Sequence, residues 1–195
     1  DPLSTGANIT FWKTLNGLVG SATQQAVTLN AGSTGSIEVK GTVGNIKPLS
    51  TLTVMQSNGT RFGDSVQTTV AVDLVDSTGT ITFAGDLTTP KLLTAAKPYN
   101  LELLGAHTNI TATGANSSTV FNHTGTLTLG NDSTDELLFA GGLTATAPSG
   151  ISLAGAVSTQ GTADMTLGDS NTALTLSKDV AFNTAGGILT INGAV

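Results

Sequence analysis

The chain has 195 residues, of which 38% are hydrophobic, 10% are charged and none is cysteine, with a formal net charge of −6. That balance excludes disulfides and thiolate metal sites, and it disfavours nucleic acid and anionic membrane surfaces, both of which call for clustered cations. No apolar run reaches the ~18 residues of a membrane span, so neither a nucleic-acid partner nor membrane insertion is expected.

The first periodic segment is Ile9-Thr10-Phe11-Trp12-Lys13-Thr14-Leu15. It alternates apolar and polar residues but carries Lys13 where later copies carry glycine, so it reads as a doubtful first copy or an end turn. "AVTLNAGSTG" (26–35) then leads into a full copy, Ile37-x-Val39-x-Gly41-x-Val43. "AVDLVDSTG" (71–79) leads into a second, Ile81-x-Phe83-x-Gly85-x-Leu87. The unit is clearest over residues 35–79, about 45 residues, which is within the range of repeat architectures. "TTPKLLTAAKP" (88–98) is the one helix candidate, with Pro90 placed to start it and Pro98 to end it. "TLTLGNDST" (126–134) leads into Leu137-x-Phe139-x-Gly141-x-Leu143, followed by Ile151-x-Leu153-x-Gly155-x-Val157 and Leu189-x-Ile191-x-Gly193-x-Val195.

Side chains alternate faces along a strand, so Ile37, Val39, Gly41 and Val43 share an apolar face while Ser36, Glu38, Lys40 and Thr42 face water. By the same parity Phe83 points inward and Thr82 outward. The glycine on the apolar parity marks a corner or a close approach of backbones. One amphipathic repeat cannot bury its apolar face, but stacked repeats can. The expected fold is all-β: a right-handed parallel β-helix (β-solenoid) of short Gly/Thr-rich coils, with an antiparallel β-sandwich as the alternative. Residues 1–195 read as a single solenoid segment, a piece of a much longer repeat protein, with adjacent repeats of the same chain as its immediate partners. About nine coils at ~4.8 Å spacing make a rod of about 40 Å. The second apolar site of each copy predicts an interior column of Val39, Phe83, Phe139, Leu153 and Ile191, with Phe11 joining it. Leu137 and Ile151 are too close for one coil of ~20 residues, so those two copies fall on different sides.

Chemistry is sparse. His107 ("GAHTN") and His123 ("FNHTG") lie in turn-like contexts and read as exposed loop residues. The acids Asp73 with Asp76, Asp132 with Asp135 and Glu136, and Asp164 with Asp169 are the pairs a glycosidase would draw on, yet Arg61 is the one arginine available to bind an acidic sugar. They read as solvated turns, with "GNDSTDE" (130–136) as the one loop rich enough in oxygen to interest a hard cation such as calcium. Thr-x-Thr pairs at 51/53, 80/82, 111/113, 126/128 and 144/146 raise an ice-binding alternative, but their intervals are irregular. Neither a G-x-S-x-G elbow nor a phosphate-binding glycine motif occurs. No catalytic, cofactor-binding or metal residue is assigned, no cofactor is expected, and the chain is not expected to be an enzyme. Loops 88–100 and 112–123 are the expected sites of any binding.

The stretches "TGSIEVKGTVG", "TGTITFAGDLT", "TAGGILTINGAV" and "LLFAGGLTATAPSGISLAGAVSTQGTADMTLGDSNTALTLS" resemble the repeats of large filamentous-haemagglutinin-like and autotransporter-type bacterial surface proteins. The likeness spans most of residues 17–195. It implies a β-helical stalk or passenger segment of an adhesin-like protein, secreted to the outer surface of a Gram-negative-type cell, with a host-surface or carbohydrate ligand left open. It carries over no catalytic residue. Polysaccharide binding or degradation and ice binding remain as alternatives.

Overall fold

The structure, a computed structural model, describes residues 6–194; Val195, the last position of the final copy, lies outside the described residues. Within them the chain is all-β, and parallel strands wind into about 7 stacked turns of a β-solenoid. Every strand pairing is parallel. This is the arrangement that a recurring phrase requires, and it excludes the antiparallel sandwich. Seven intervals of ~4.8 Å give a stack of about 34 Å, somewhat shorter than nine coils would be.

Each coil has three faces. The first is built from Ile9–Phe11, Ile37–Val39, Thr60–Phe62, Thr80–Phe83, Asn100–Leu103 and Thr126–Leu129, then from the starts of the long strands Gly150–Ser158 and Ala173–Asn183. Its register stacks Phe11 on Val39, then Phe62, Phe83, Leu103, Leu129, Leu153 and Leu176. The second face stacks Leu15, Val43, Val66, Leu87, Thr108, Leu137, Val157 and Phe182. The third begins with Val27–Asn30 on Leu49–Gln56, Val66–Leu74 and Leu92–Thr94. It resumes with Thr119–Val120, Leu143–Ala145, Met165–Leu167 and Leu189–Ile191.

The expected interior column is therefore divided. Val39, Phe83 and Leu153, with Phe11, do stack on the first face, whereas Phe139 belongs to the second (opposite Ile110) and Ile191 to the third (opposite Leu167). The motif recurs on all three sides because each side obeys the same parity rule and ends in the same kind of corner. Leu137 and Ile151 lie on different sides, as their spacing implies. The two "AV" phrases are aligned on the third face two coils apart, with Leu52 between Val27 and Val72, but "TLTL" at 126–129 is a first-face strand. The 45-residue unit is two coils, Ile37 to Thr60 to Ile81.

Two further expectations change. The segment from residue 9 to 15 is a genuine coil, with Ile9 opposite Ile37 and Leu15 opposite Val43. A Cβ on Gly41 would sit 2.7 Å from the carbonyl carbon of Lys13 and 2.8 Å from the Thr14 nitrogen, so the side chain at this corner is excluded by the preceding coil. Lys13 belongs to the first described coil, with no earlier described coil beneath it. The helix candidate at 88–98 is two strands, Leu87–Thr89 and Leu92–Thr94, with Pro90 at the corner between them. Pairing of Val66 with Leu87 and of Val72 with Leu92 overrides the local helical spacing. Thr89 turns inward there, and its hydroxyl shares a hydrogen bond of 2.7 Å with Thr68 and donates to the Lys91 carbonyl.

The interior is continuous. Phe62 stacks on Phe83 with centroids 4.8 Å apart, and Phe121 meets Phe139 edge-on at 5.9 Å, so aromatic rings from all three faces converge on the axis.

Candidate functional site

Three places gather polar chemistry. On the outside of the second face, residues immediately before the inward column stack as Ser65, Asp86, His107 and Glu136, since Asp86 precedes Leu87, His107 precedes Thr108 and Glu136 precedes Leu137. His107 Nδ1 lies 3.4 Å from Asp86 Oδ2, and Nε2 lies 3.9 Å from Glu136 Oε2. The His107 backbone N–H also donates to Asp86 Oδ1 at 2.9 Å. His107 is exposed, as expected, but it bridges acids of two neighbouring coils, a ladder the sequence analysis missed. The signal was present as the parity of three residues 21 and 29 positions apart, and it becomes readable only once Leu87, Thr108 and Leu137 are known to be register partners.

His123 overturns its expectation. It is buried, not an exposed loop residue, with 0% accessibility. It caps the corner between the third and first faces, where its ring stacks on Tyr99 (5.2 Å between centroids, 10° between planes) and meets the edge of Phe121 at 5.9 Å. Neither ring nitrogen has a hydrogen-bond partner. Burial lowers its pKa from 6.5 to about 4, opposed in part by the Thr126 backbone. Tyr99 is also buried, its hydroxyl donating to the Leu74 carbonyl at 3.1 Å, and desolvation raises it above the ordinary phenol range. The two histidines sit in different surroundings on different sides of the coil and form no pair.

The third place is the loop at 130–136. Asp135 is buried, and its Oδ2 accepts N–H bonds from Asn131 at 2.8 Å and Asp132 at 3.0 Å. Asp132 Oδ1 accepts from the Thr134 N–H and hydroxyl, and the backbone bond is the leading reason its pKa falls below 3.8. The oxygens that suggested a cation are thus engaged in holding the loop. Of the other candidate acids, Asp73 is not at a turn but within the strand Val66–Leu74, between Thr53 and Leu93 of the neighbouring coils, whereas Asp76, Asp164 and Asp169 lie at turns. Asp164 Oδ1 accepts the Ile188 N–H, Asp169 Oδ1 accepts from Asn171 and Thr172, and Asp76 pairs with Lys97 at 3.8 Å. Among the described residues no three His, Asp or Glu side chains converge to hold a metal ion.

The surface offers shallow grooves. One of about 530 Å³ lies beside Thr113, Gly114, Gln160 and Thr162, with Ala140 and Ala163 also in its wall. Another of about 390 Å³ lies on the outside of the first face, where Gly59 leaves a notch among Glu38, Arg61, Thr80 and Thr82. The Thr-x-Thr pairs do not form one ladder. Thr82 and Thr128 share the outward first-face column, but Glu102 stands between them and Glu38 and Arg61 precede them, while 51/53 and 144/146 lie on the third face.

Comparison with protein-family models, with curated proteins and with solved structures finds no match.

Proposed function

We propose that the chain is a structural stalk or passenger segment of a large secreted bacterial surface protein, adhesin-like and without catalytic activity, which holds other parts of that protein away from the cell. The observation that carries this reading is the unbroken apolar interior running through about 7 coils whose polar groups are mostly engaged at their own turns. A stack of this kind satisfies its backbone donors along one axis and resists bending, which is what a spacer needs. The resemblance of the repeat phrases to filamentous-haemagglutinin-like and autotransporter-type proteins supports the surface location.

Antibody labelling of intact cells of the native host tests it. Labelling before lysis is the expected result, and labelling only after permeabilisation would overturn the surface role. Incubation with neutral and acidic polysaccharides is expected to release no shorter chains. A polysaccharide ligand, the alternative reading, has one feature in its favour, the first-face notch with Arg61 beside Glu38. Retention on a glycan surface that is lost in Arg61→Ala would favour it.

A further inference from the structure

We infer that the corner formed by Tyr99, Phe121 and His123 is an acid-sensitive joint, at which protonation of a buried imidazole parts the third face of the rod midway along its length. The sheet topology supplies the weak point. The third face is two ladders, one ending at Leu92–Thr94 and the other starting at Thr119–Val120. Between them the regular backbone ladder gives way to side-chain bonds. The Asn122 N–H donates to Thr94 Oγ1 at 2.7 Å, Thr94 Oγ1 donates to the Val120 carbonyl at 3.2 Å, and Asn122 Nδ2 donates to the Thr94 carbonyl at 3.0 Å. The other two faces stay paired across the same level, Ile81 with Leu101 and Thr89 with Ile110.

His123 follows this seam directly. Its nitrogens are sealed from water without partners, against the face of Tyr99 and the edge of Phe121. The titratable groups around it do not help an imidazolium, and the Thr126 backbone, which favours the charged ring, offsets only part of the effect of burial. Tyr99 is neutral and its hydroxyl is committed to Leu74. Asp73 and Asp76 act on Tyr99, but His123 forms no ion pair among the described residues, and Asp76 is already held by Lys97, whose carbonyl receives the Thr124 N–H. A proton on His123 therefore has to be solvated, and the nearest route to water is to lift residues 119–125 off Thr94 and Tyr99.

The direction with pH follows from linkage. In the unfolded chain the imidazole takes its proton as pH falls through 6.5, while the folded form resists down to about 4. Stability is thus full above 6.5 and falls between there and about 4, with the unfolding equilibrium constant rising on the order of 100-fold across the window. The turn carboxylates act lower. Asp132 and Asp169, held below 3.8 chiefly by the Thr134 and Asn171 N–H groups, contribute stability present above that value and lost as pH falls through their lowered values.

The test compares wild type with His123→Phe, which keeps an aromatic ring against Tyr99 and cannot titrate. In chemical denaturation at pH 7, 5.5 and 4.5, wild type is expected to lose stability progressively and His123→Phe to lose far less; equal slopes would overturn the proposal. A second measurement does not depend on that variant folding. In His107→Asn one imidazole remains, and its NMR titration in the folded state is expected near pH 4, so a midpoint near 6.5 would overturn the proposal. Hydrogen exchange on the same protein at pH 5, corrected for intrinsic rates, should deprotect the Phe121 and Asn122 amides ahead of those at 101–103 on the first face and 108–110 on the second. Loss of protection on all three faces together would also overturn it.

Discussion

At the scale of single residues, the facing of each strand decides what a charge costs. Phe83 is wholly buried and stacked on Phe62, so Phe83→Asp places an unpaired carboxylate in an apolar interior, at a cost of several kcal/mol, and is expected to prevent folding. Thr82, next along the chain, looks like a neutral control by parity, but its hydroxyl donates to Glu102 Oε2 at 2.8 Å on the neighbouring coil. Thr82→Asp sets two carboxylates side by side and should cost about 0.5 kcal/mol. Ser152, flanked by Thr128 and Thr175 in the same outward column, is the better control. Circular dichroism melts that rank Ser152→Asp near wild type, Thr82→Asp slightly lower and Phe83→Asp unfolded would agree; equal tolerance at all three would mean the facing is wrong. Glycines divide in the same way. A methyl on Gly85 would run into the Asp64–Ser65 backbone, so Gly85→Ala is expected to lose about 1–3 kcal/mol. A methyl on Gly150 would meet nothing nearer than 3.8 Å, and Gly150→Ala should be neutral or slightly stabilising. Parity and the corner glycines were legible in the sequence because both are local. His123 was not: "FNHTG" looks like a turn and is one, and only the Tyr99 ring of the preceding coil makes it an interior residue.

At the scale of elements, loops are held by their own side chains as much as by the coils. Asp135 is the clearest case, a buried carboxylate accepting two backbone N–H groups that no other protein group satisfies. Asp135→Ala leaves both donors without that partner and is expected to cost about 2 kcal/mol, with Asp135→Asn recovering part of it, as judged by thermal melts. If alanine matched wild type, the loop would be held by something else. Gly155 of the next coil packs against the Asp132 and Asp135 carbonyls, so loosening this loop should also be felt one turn away. Whole coils differed in legibility for a related reason. Thr60–Phe62 is a coil strand that the repeat phrase does not reveal, because Thr60 stands at an inward site normally apolar and Asp64 stands where glycine recurs. The inward hydroxyl is tolerated because it pairs with Ser57 at 2.9 Å, and Ser57 in turn with Ser77. A polar ladder inside a corner has no period in the sequence. Nor does coil length: register partners lie 20 residues apart at Ile81 and Leu101 but 28 apart at Ile9 and Ile37, the difference being absorbed in loops.

At the scale of the whole molecule, the strands of each coil pair with those of the coils on either side, and contacts two coils apart, such as Thr78 Oγ1 donating to the Ser33 carbonyl and Thr69 Oγ1 to Gln24 Oε1, are made by loop and edge side chains, so stability is approximately a sum of neighbouring interfaces. The central coils are sealed on both sides, with Phe83, Leu101, Leu127 and Phe139 wholly buried. The last described coil has a neighbour on one side among the described residues, and its inward positions show the consequence: Leu176 is 48% exposed and Leu189 and Ile191 are each 38% exposed, while the outward Ile188 is 67% exposed. Half-buried apolar side chains contribute proportionally less to cohesion, and an unpaired strand edge opens without breaking a ladder. Amide hydrogen exchange at neutral pH should therefore be graded along the rod, slowest at 81–103 and 127–139 and fastest at 173–194, with the amides of Leu189–Ile191 exchanging before those of Met165–Leu167 on which they stack. Replacing Ile188 with lysine should leave the central amides unaffected, because no interface between central coils includes it. Uniform protection from 81 to 194, or loss of central protection in Ile188→Lys, would mean that the coils are coupled over much more than nearest-neighbour distance, and the reading of this rod as a stack of independently supporting turns would fail with it.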